Sequence, residues 1–183
     1  MKSWDAIVIG AGIIGLSLAI ELNKRGLRVL IVEKGEPGRE ASWAAGGMLA
    51  DFLQETPPAL RELATASAAM YPEFVHELED ESRMKIDLRS VGTLILTDVG
   101  TGLRPVLAGR NPSTTQTCAL PQPLAELEPA LSTGSASHLA AVFVKERSVD
   151  PRQLTAAAIA ATRHRGIDLS SGNQVLSVEV ADG

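Results

Sequence analysis

A glycine-rich segment near the first residue constrains the fold of this chain more than any other feature. Residues 10–15 read Gly-Ala-Gly-Ile-Ile-Gly and match the pattern G-x-G-x-x-G. The β-branched apolar run 6–9 precedes this segment, and a helical pattern over 13–25 follows it. A second apolar run at 28–32 completes a strand–helix–strand unit of the usual length, about 30 residues. This order predicts an α/β fold built on a buried parallel sheet.

The glycines of this segment have separate roles in binding a dinucleotide. Gly10 permits the tight turn from strand to helix, and Gly15 lets the helix pack closely on the sheet. Because Gly12 has no Cβ, a pyrophosphate can approach its backbone. The free N–H groups at the helix start, where Ile13 and Ile14 lie, suit negative phosphates.

An acidic residue closes the second strand, where dinucleotide-binding folds hold the ribose. Glu33 lies 18 residues beyond Gly15 and is followed by Lys34, a further candidate for cofactor contact. A carboxylate at this position accepts hydrogen bonds from the ribose hydroxyls and repels a 2′-phosphate. A solvent-facing glutamate in an ordinary strand–helix–strand unit is the simpler alternative. Both FAD and NAD fit the pattern to this point.

The wider pattern of this unit resembles FAD-binding oxidoreductases of the D-amino-acid oxidase and glycine oxidase superfamily. The resemblance implies FAD as the cofactor and a Rossmann-like FAD-binding domain, followed by the start of an α+β substrate domain. The residues that carry it are Ala19, Leu22, Gly26, Val29 and Glu33.

The loop that begins at Ala41 resembles the second flavin-contacting segment of that superfamily. Its small residues suit backbone that passes close to a flat isoalloxazine ring. The resemblance implies that Ser42 donates a hydrogen bond to a phosphate oxygen. It also implies that Gly46, Gly47 and Met48 offer backbone N–H groups to the ring edge. From composition alone, a flexible small-residue loop or a tight helix contact explains the segment as well.

Later segments resemble the same superfamily more loosely. Residues 89–94 resemble the strand that starts the substrate domain, and residues 148–154 resemble the return to the FAD-binding domain. Residues 174–176 resemble the strand whose backbone meets the adenine, which makes Val175 a candidate main-chain contact. The resemblance is closest to glycine oxidases of the thiamine-biosynthesis type.

The resemblance predicts a domain order in which the FAD-binding domain is interrupted. Residues 1–84 are expected to form its first part, 85–147 the start of the substrate domain, and 148–183 the return to it. The chain ends with Asp182-Gly183, a hairpin-turn signal with no second strand after it. We therefore expect the C-terminal half of the protein to lie outside this sequence.

Further helices and strands are predicted outside the glycine-rich unit. A helix over 57–82 is expected to break or kink at Pro72, because proline removes a hydrogen-bond donor. A helix over 151–165 has Asp150 as its N-cap and Pro151 at its first position. The predicted strands cover 92–97, 140–144 and 174–180. The helical pattern of 13–25 rests on Ile14, Leu18 and Leu22.

Composition narrows the classes of partner and compartment. The formal net charge is −5 with no basic stripe, which argues against a nucleic-acid partner. Cys118 is the single cysteine, and no stretch of about 20 apolar residues is present, so a cytoplasmic protein outside the membrane is expected. The three histidines, His76, His138 and His164, are too scattered to predict a metal site.

The resemblance implies oxidation of the amine of a small amino acid, such as glycine or sarcosine, with oxygen as the acceptor. The sequence leaves open whether the protein assembles as a homo-oligomer. In such enzymes the arginine that grips the substrate comes from the C-terminal half, so no catalytic residue is predicted here. Three alternatives stay open: a D-amino-acid or other amine dehydrogenase with another acceptor, a non-catalytic dinucleotide-binding module, and an NAD-dependent dehydrogenase.

Overall fold

The computed structural model describes most of the chain, which divides into two units. The described residues are 2–49, 57–98, 122–131, 139–144 and 146–179. The first unit comprises residues 1–47, 71–88 and 149–183, and the second comprises 48–70 and 89–148. Three features named above, Cys118, His138 and the turn Asp182-Gly183, lie outside the described residues.

Both units contain helices and strands. The α-helices are α1 (Ile13–Lys24), α2 (Ala41–Ala44), α3 (Arg61–Ser82), α4 (Leu124–Leu127) and α5 (Pro151–His164). Short 3-10 turns cover Pro58–Leu60 and Pro129–Leu131. The strands are β1 (Ala6–Ile9), β2 (Val29–Val32), β3 (Met48–Leu49), β4 (Leu88–Arg89), β5 (Thr93–Asp98), β6 (Gln122–Pro123), β7 (Leu139–Val144), β8 (Arg147–Val149) and β9 (Asp168–Ser170).

A parallel sheet in the order β1-β2-β9 organises the first unit. Ala6 pairs with Val29 and Leu30 pairs with Asp168, so the three carboxyl ends meet at one edge of the sheet. Helix α1 packs on β1, β2 and α5. The predicted α/β, Rossmann-like class is confirmed by this arrangement. The buried apolar side chains of the unit's sheet and two helices include Val8, Leu16, Ala19, Ile20, Val29, Ile31, Leu154, Ala157, Ala158 and Ala161.

Helix α1 forms as predicted, but its buried face differs from the predicted apolar pattern. Ile14 is 83% exposed and Leu18 is 49% exposed, whereas Leu16, Ala19 and Ile20 are buried. The buried residues follow the i, i+3, i+4 spacing of one helix face. The helix contacts β2 and α5 through that face, so Ile14 and Leu18 point away from the core of this unit.

An antiparallel sheet in the order β5-β7-β6 organises the second unit. Thr93 pairs with Val144 and Gln122 pairs with Ala141, which confirms the predicted strands at 92–97 and 140–144. Leu124 of α4 is buried in this unit, as are three residues of β7, namely Ala141, Val142 and Val144.

Helix α3 shows that the predicted break at Pro72 is wrong, whereas the alternative of a kink there stays a prediction. The helix runs over Arg61–Ser82 with Pro72 inside it. Proline has no N–H to donate to the carbonyl four residues earlier, which belongs to Ala68. The Arg147 side chain donates to that carbonyl at 3.4 Å, so a partner from another element replaces the lost hydrogen bond.

The strand predicted over 174–180 is wrong for its described part. Residues 171–179 contain no strand, and Leu176 is 85% exposed. The last described strand is β9, which pairs with β2 directly after helix α5. An alternating pattern forms a strand only where a neighbouring strand supplies hydrogen bonds, and no described strand pairs with 174–179.

Within the described ranges, none of the helices combines the length and the apolar character needed to span a bilayer.

Helix α5 begins as predicted: the Asp150 side chain accepts hydrogen bonds from the backbone N–H groups of Arg152 and Gln153 at 2.8 and 3.1 Å. Pro151 occupies its first turn. The helix therefore starts at a well-defined point directly after β8.

Candidate dinucleotide-binding site

The turn between β1 and α1 depends on a glycine in the left-handed region. Gly10 has φ +101°, a value that residues with a side chain rarely adopt. Its N–H donates to the Val32 carbonyl at 2.8 Å, which holds the turn against the end of β2. The chain can therefore reverse into α1 while it stays hydrogen-bonded to the sheet.

The other two glycines of the segment are required for different steric reasons. A Cβ on Gly15 would lie 2.0 Å from the Gly10 carbonyl oxygen, so helix α1 packs on the turn only without a side chain there. A Cβ on Gly12 would lie 3.0 Å from Ser42 Oγ. Gly12 has φ −76°, so its need for glycine is spatial and involves no backbone strain. The space above Gly12 is the predicted approach of the pyrophosphate.

Glu33 is held at the glycine-rich turn by two backbone donors. Its Oε2 accepts from the Ala11 N–H at 2.8 Å and its Oε1 accepts from the Gly35 N–H at 2.9 Å. The hydrogen bond from Ala11, followed by that from Gly35, holds the pKa of the Glu33 carboxyl below its ordinary value. Each carboxylate oxygen has a second lone pair for a further donor. A negative, oriented acceptor therefore stands beside the turn.

Ser42 meets the start of α1 from a distant point in the sequence. The Ile13 N–H donates to Ser42 Oγ at 2.9 Å, and the Ser42 hydroxyl keeps its own proton to donate. Helix α1 has no cap from the side chain of its own N-cap residue and no acidic residue in its first turn. The positive end of the helix thus receives one neutral acceptor and no negative charge from the helix itself.

Three other predicted site residues lie in the same unit without joining this cluster through a described hydrogen bond. The Lys34 ammonium pairs with Glu40 Oε1 at 2.8 Å, and that carboxylate raises the pKa of Lys34. Ala41 is the first residue of α2. A Cβ on Gly46 would meet nothing within 4 Å. Their contacts with a cofactor stay predictions.

Gly47 joins the loop to the segment that precedes α5. Its φ is +73°, and a Cβ would lie 2.0 Å from the Val149 carbonyl oxygen. The Val149 N–H donates to the Gly47 carbonyl at 2.8 Å. The need for glycine here is therefore a close approach between two backbones, which leaves the predicted hydrogen bond from Gly47 to the flavin ring as a prediction.

Two further predicted contacts lie outside this cluster. Met48 belongs to the second unit, where it pairs with Ser148 in the β3–β8 ladder, and its side chain is 58% exposed. Val175 follows β9 in the stretch without a strand. The backbone leading to it is anchored at Asn173, whose N–H donates to the Glu33 carbonyl at 2.9 Å. The cofactor contacts of Met48 and Val175 stay predictions.

Trp43 is a part of the site region to which the sequence analysis gives no role. The Arg39 guanidinium carbon lies 3.9 Å from the centroid of the Trp43 ring, and that of Arg152 lies 5.0 Å away. Arg39 is near Trp43 in the sequence but lies outside α2, so the spacing of side chains on a helix does not predict their contact. Arg152 carries no sequence signal either, because only the fold brings α5 to this loop.

The residues present fit a dinucleotide. Beyond Ile13, whose N–H donates to Ser42, the start of α1 offers further N–H groups and a positive dipole end; Gly12 leaves room for a phosphate, and Ser42 retains a donor. Glu33 offers a negative acceptor for ribose hydroxyls.

Among the described residues, no group of three or more histidine, cysteine, aspartate or glutamate side chains could hold a metal ion.

Sequence and structure comparisons place the chain among flavoproteins. The family described as DAO, FAD dependent oxidoreductase, matches residues 5–183. A glycine oxidase of Pseudomonas aeruginosa is 45% identical over 87 residues, which cover 47% of this chain and 24% of that protein. The bifunctional protein ThiO/ThiG of Trichormus variabilis is 38% identical over 76 residues, or 42% of this chain and 12% of that protein.

A solved structure shares the fold over almost the whole chain. The glycine oxidase from Bacillus cereus ATCC 14579 superposes with a TM-score of 0.83 at 24% identity, over 98% of this chain. The present chain spans 50% of that structure's chain. The family match extends over nearly all of the sequence, and Glu33 and Ser42 both contact the glycine-rich turn and the start of α1. This chain belongs to the DAO family of FAD dependent oxidoreductases.

Proposed function

We propose that the protein containing this chain oxidises the amine of a small amino acid, such as glycine or sarcosine, with oxygen as the electron acceptor. The observation that carries the proposal is the 45% identity to a glycine oxidase over 87 residues. The similarity to a protein named ThiO/ThiG supports a role in thiamine biosynthesis.

The proposed reaction balances as a two-electron oxidation. The amine loses a hydride from carbon and a proton from nitrogen, which leaves an imine. Water hydrolyses the imine to a carbonyl compound and a free amine or ammonia. Oxygen takes up two electrons and two protons and becomes hydrogen peroxide. When bound, FAD supplies the two-electron carrier between the amine and oxygen.

Within this chain, the proposed work is to hold and orient the cofactor. The start of α1 and the space above Gly12 would receive the pyrophosphate. The Glu33 carboxylate would accept hydrogen bonds from the adenosine ribose, and Ser42 would donate to a phosphate oxygen. Support comes from the contact between Ala11 and Glu33 at 2.8 Å and that between Ile13 and Ser42 at 2.9 Å. Main-chain contacts at Val175 belong to the same proposal.

In this proposal the two units have different roles. We assign the first unit to FAD binding, since it contains Gly12, Glu33 and Ser42, and the second unit to the start of the substrate domain. The residues that grip the substrate belong, in this proposal, to a part of the protein outside the present sequence. The single cysteine favours a cytoplasmic location.

The proposal is tested on the purified full-length protein. A flavin absorbance spectrum is recorded, and glycine, sarcosine or D-alanine is added without oxygen; we expect glycine or sarcosine to bleach the flavin bands. Readmitting oxygen should restore the bands with one peroxide per amine oxidised. Bleaching that reverses only with a dye acceptor would replace the oxidase by a dehydrogenase. A flavin that no amine bleaches would leave a non-catalytic dinucleotide-binding protein.

A further inference from the structure

Three contacts fasten the loop after β2 to the segment 149–159. A Cβ on Gly38 would lie 2.4 Å from Thr155 Cγ2, so the loop touches α5 there without a side chain between them. The Arg152 guanidinium lies over the Trp43 ring. The Gly47 carbonyl accepts from the Val149 N–H at 2.8 Å. The two glycines make backbone contacts, so the middle contact is the one that depends on a side chain of the loop.

Trp43 and Ser42 are neighbours on the single turn of α2, so the orientation of one side chain limits that of the other. The four-residue helix has no side-chain N-cap of its own. Isolated helices of this length are unstable in water, because one turn fixes many torsions for few hydrogen bonds. The turn is therefore held by its tertiary contacts, and those of Trp43 are the contacts to Arg39 and Arg152.

We infer that Trp43 is a positioning residue for the bound dinucleotide. Its ring, held by Arg39 and Arg152, keeps α2 in place, and α2 carries Ser42. Ser42 Oγ then stays 2.9 Å from the Ile13 N–H at the start of α1. The inference rests on the proposed binding of the FAD pyrophosphate at this helix start.

The charges around the ring favour this arrangement. Arg39 Nε donates to Glu36 Oε1 at 2.8 Å, and this hydrogen bond helps to hold the guanidinium over the ring. Tryptophan is the best of the aromatic rings for a cation–π contact, and arginine is the more frequent cation. Two such contacts come from opposite directions in the sequence, one from the loop itself and one from α5. The ring thereby links the loop to a helix that is anchored in the core through Leu154, Ala157 and Ala158.

The test measures the FAD dissociation constant of full-length apoprotein by quenching of flavin fluorescence. Trp43→Leu should raise that constant by about 5- to 30-fold, since it removes two cation–π contacts. Trp43→Phe keeps an aromatic face and should recover most of the affinity. Trp4→Leu is the matched control, because Trp4 is the other tryptophan and its indole N–H binds Asp168 at 2.6 Å, away from this loop. Its FAD dissociation constant should equal that of the wild type.

Arg152 provides a second route, whose single variant does not depend on the folding of the Trp43 variants. Its side chain is on the exposed side of α5, so Arg152→Met should fold and weaken FAD binding by about 2- to 5-fold. In the Trp43→Leu background the same substitution should have no further effect. An FAD dissociation constant that is unchanged in both Trp43→Leu and Arg152→Met would overturn the inference. So would a lack of recovery in Trp43→Phe, or effects of Trp43→Leu and Arg152→Met that add fully in the double variant.

Failure of this inference is distinguishable from failure of the proposed function. A wild-type protein that binds FAD but is not bleached by amines would contradict the oxidase, while the FAD titrations of the Trp43 variants would still decide the positioning role. Normal amine oxidation with wild-type FAD affinity in Trp43→Leu would contradict only the positioning role.

Discussion

The Glu33 carboxylate accepts a 2.8 Å hydrogen bond from the backbone N–H of Ala11, so the acid that ends β2 is tied to the turn that begins α1. This contact orients the carboxylate before any ligand arrives. It also occupies one of the N–H groups of the glycine-rich turn, and Ser42 accepts from the Ile13 N–H, which leaves the N–H groups after Ile13 at the start of α1 for phosphate.

Replacement of Glu33 by alanine in the full-length protein should weaken FAD binding while the fold is retained. A hydrogen bond to a charged group contributes about 1.5–3 kcal/mol, so loss of one ribose contact raises the dissociation constant by at least about tenfold. Titration of apoprotein with FAD measures the effect. Glu21→Ala, a substitution of a surface acid on α1, serves as the control. An unchanged constant for Glu33→Ala would mean that the acid does not meet the ribose.

Stability should depend on pH through Glu33 in a defined direction. Its pKa in the folded protein lies below the ordinary value of 4.5, so its stabilising contribution is complete above that value and declines as the pH falls further. We compare the free energy of unfolding of the wild type with that of Glu33→Gln between pH 7 and pH 3. The gap between them should be constant down to about pH 4.5 and then narrow. A gap that stays constant to pH 3 would contradict the assigned hydrogen bonds.

Asp5 tests whether that comparison isolates Glu33. Its side-chain hydrogen bond with Arg28 lowers the pKa of Asp5 to about 2, and its acid titration is therefore displaced to very low pH. Because Asp5 is present in both proteins, its contribution cancels in the difference. When Asp5→Asn is added to both the wild type and Glu33→Gln, the difference between their free energies of unfolding should narrow over the same pH range.

Substitution of Gly12 should reduce FAD binding, whereas substitution of Gly15 should reduce the stability of the fold. Gly12→Val should give a folded protein that retains little FAD, because Gly12 has no backbone strain and its side chain would enter the phosphate space and displace Ser42. Gly15→Ala should destabilise the fold by about 1–3 kcal/mol, because its Cβ would meet the Gly10 carbonyl oxygen at 2.0 Å. Flavin absorbance and thermal unfolding are recorded for both. A folded Gly12→Val protein with normal FAD content would contradict the assignment of the turn.

A polypeptide limited to residues 1–183 should self-associate and carry little FAD. Ile7 and Ile9 of β1 are 61% and 59% exposed, although parallel sheets are normally covered on both faces. Among the described strands, β1 pairs with β2 alone, which leaves an open edge beside this apolar face. Size-exclusion chromatography with a flavin spectrum tests the expectation. A monomer that carries one FAD per chain would refute it.

A variant of the exposed face of β1 tests whether that face, rather than general instability, causes the self-association. Ile9→Lys places a charge on the open face of β1 without touching the buried Val8. It should shift the polypeptide of residues 1–183 toward the monomer and leave its helical content unchanged. If Ile9→Lys aggregates as strongly as the parent, this face does not drive association.

Local patterns were sufficient for the elements that depend on near neighbours. The turn at Gly10, the start of α5 at Asp150 and the strands β1, β2, β5 and β7 all follow the predicted positions to within one or two residues. Each depends on backbone conformation or on side-chain periodicity within a short segment. These are properties that a sequence states directly, and they identify a flavoprotein family by the spacing of a few small residues.

Long-range contacts decided the rest. Ile14 is exposed and Ile20 is buried because β2 and α5 cover one side of α1, and both positions are equally apolar in the sequence. Helix α3 continues through Pro72, where Arg147, which is distant in the sequence, supplies a donor for the Ala68 carbonyl. Residues 174–179 alternate like a strand and form none, since β9 pairs with β2 instead.

The site shows the same division. Spacing within one strand–helix–strand unit was enough to place Gly12 in the turn after β1 and Glu33 at the end of β2, whereas their contacts with a dinucleotide stay predictions. The contact between Ser42 and the Ile13 N–H and the contact between Arg152 and Trp43 depend instead on the packed fold. Hydrogen bonds and cation–π contacts form between atoms a few ångströms apart, and residues that are distant in the chain reach that range only after the sheet and its helices have packed.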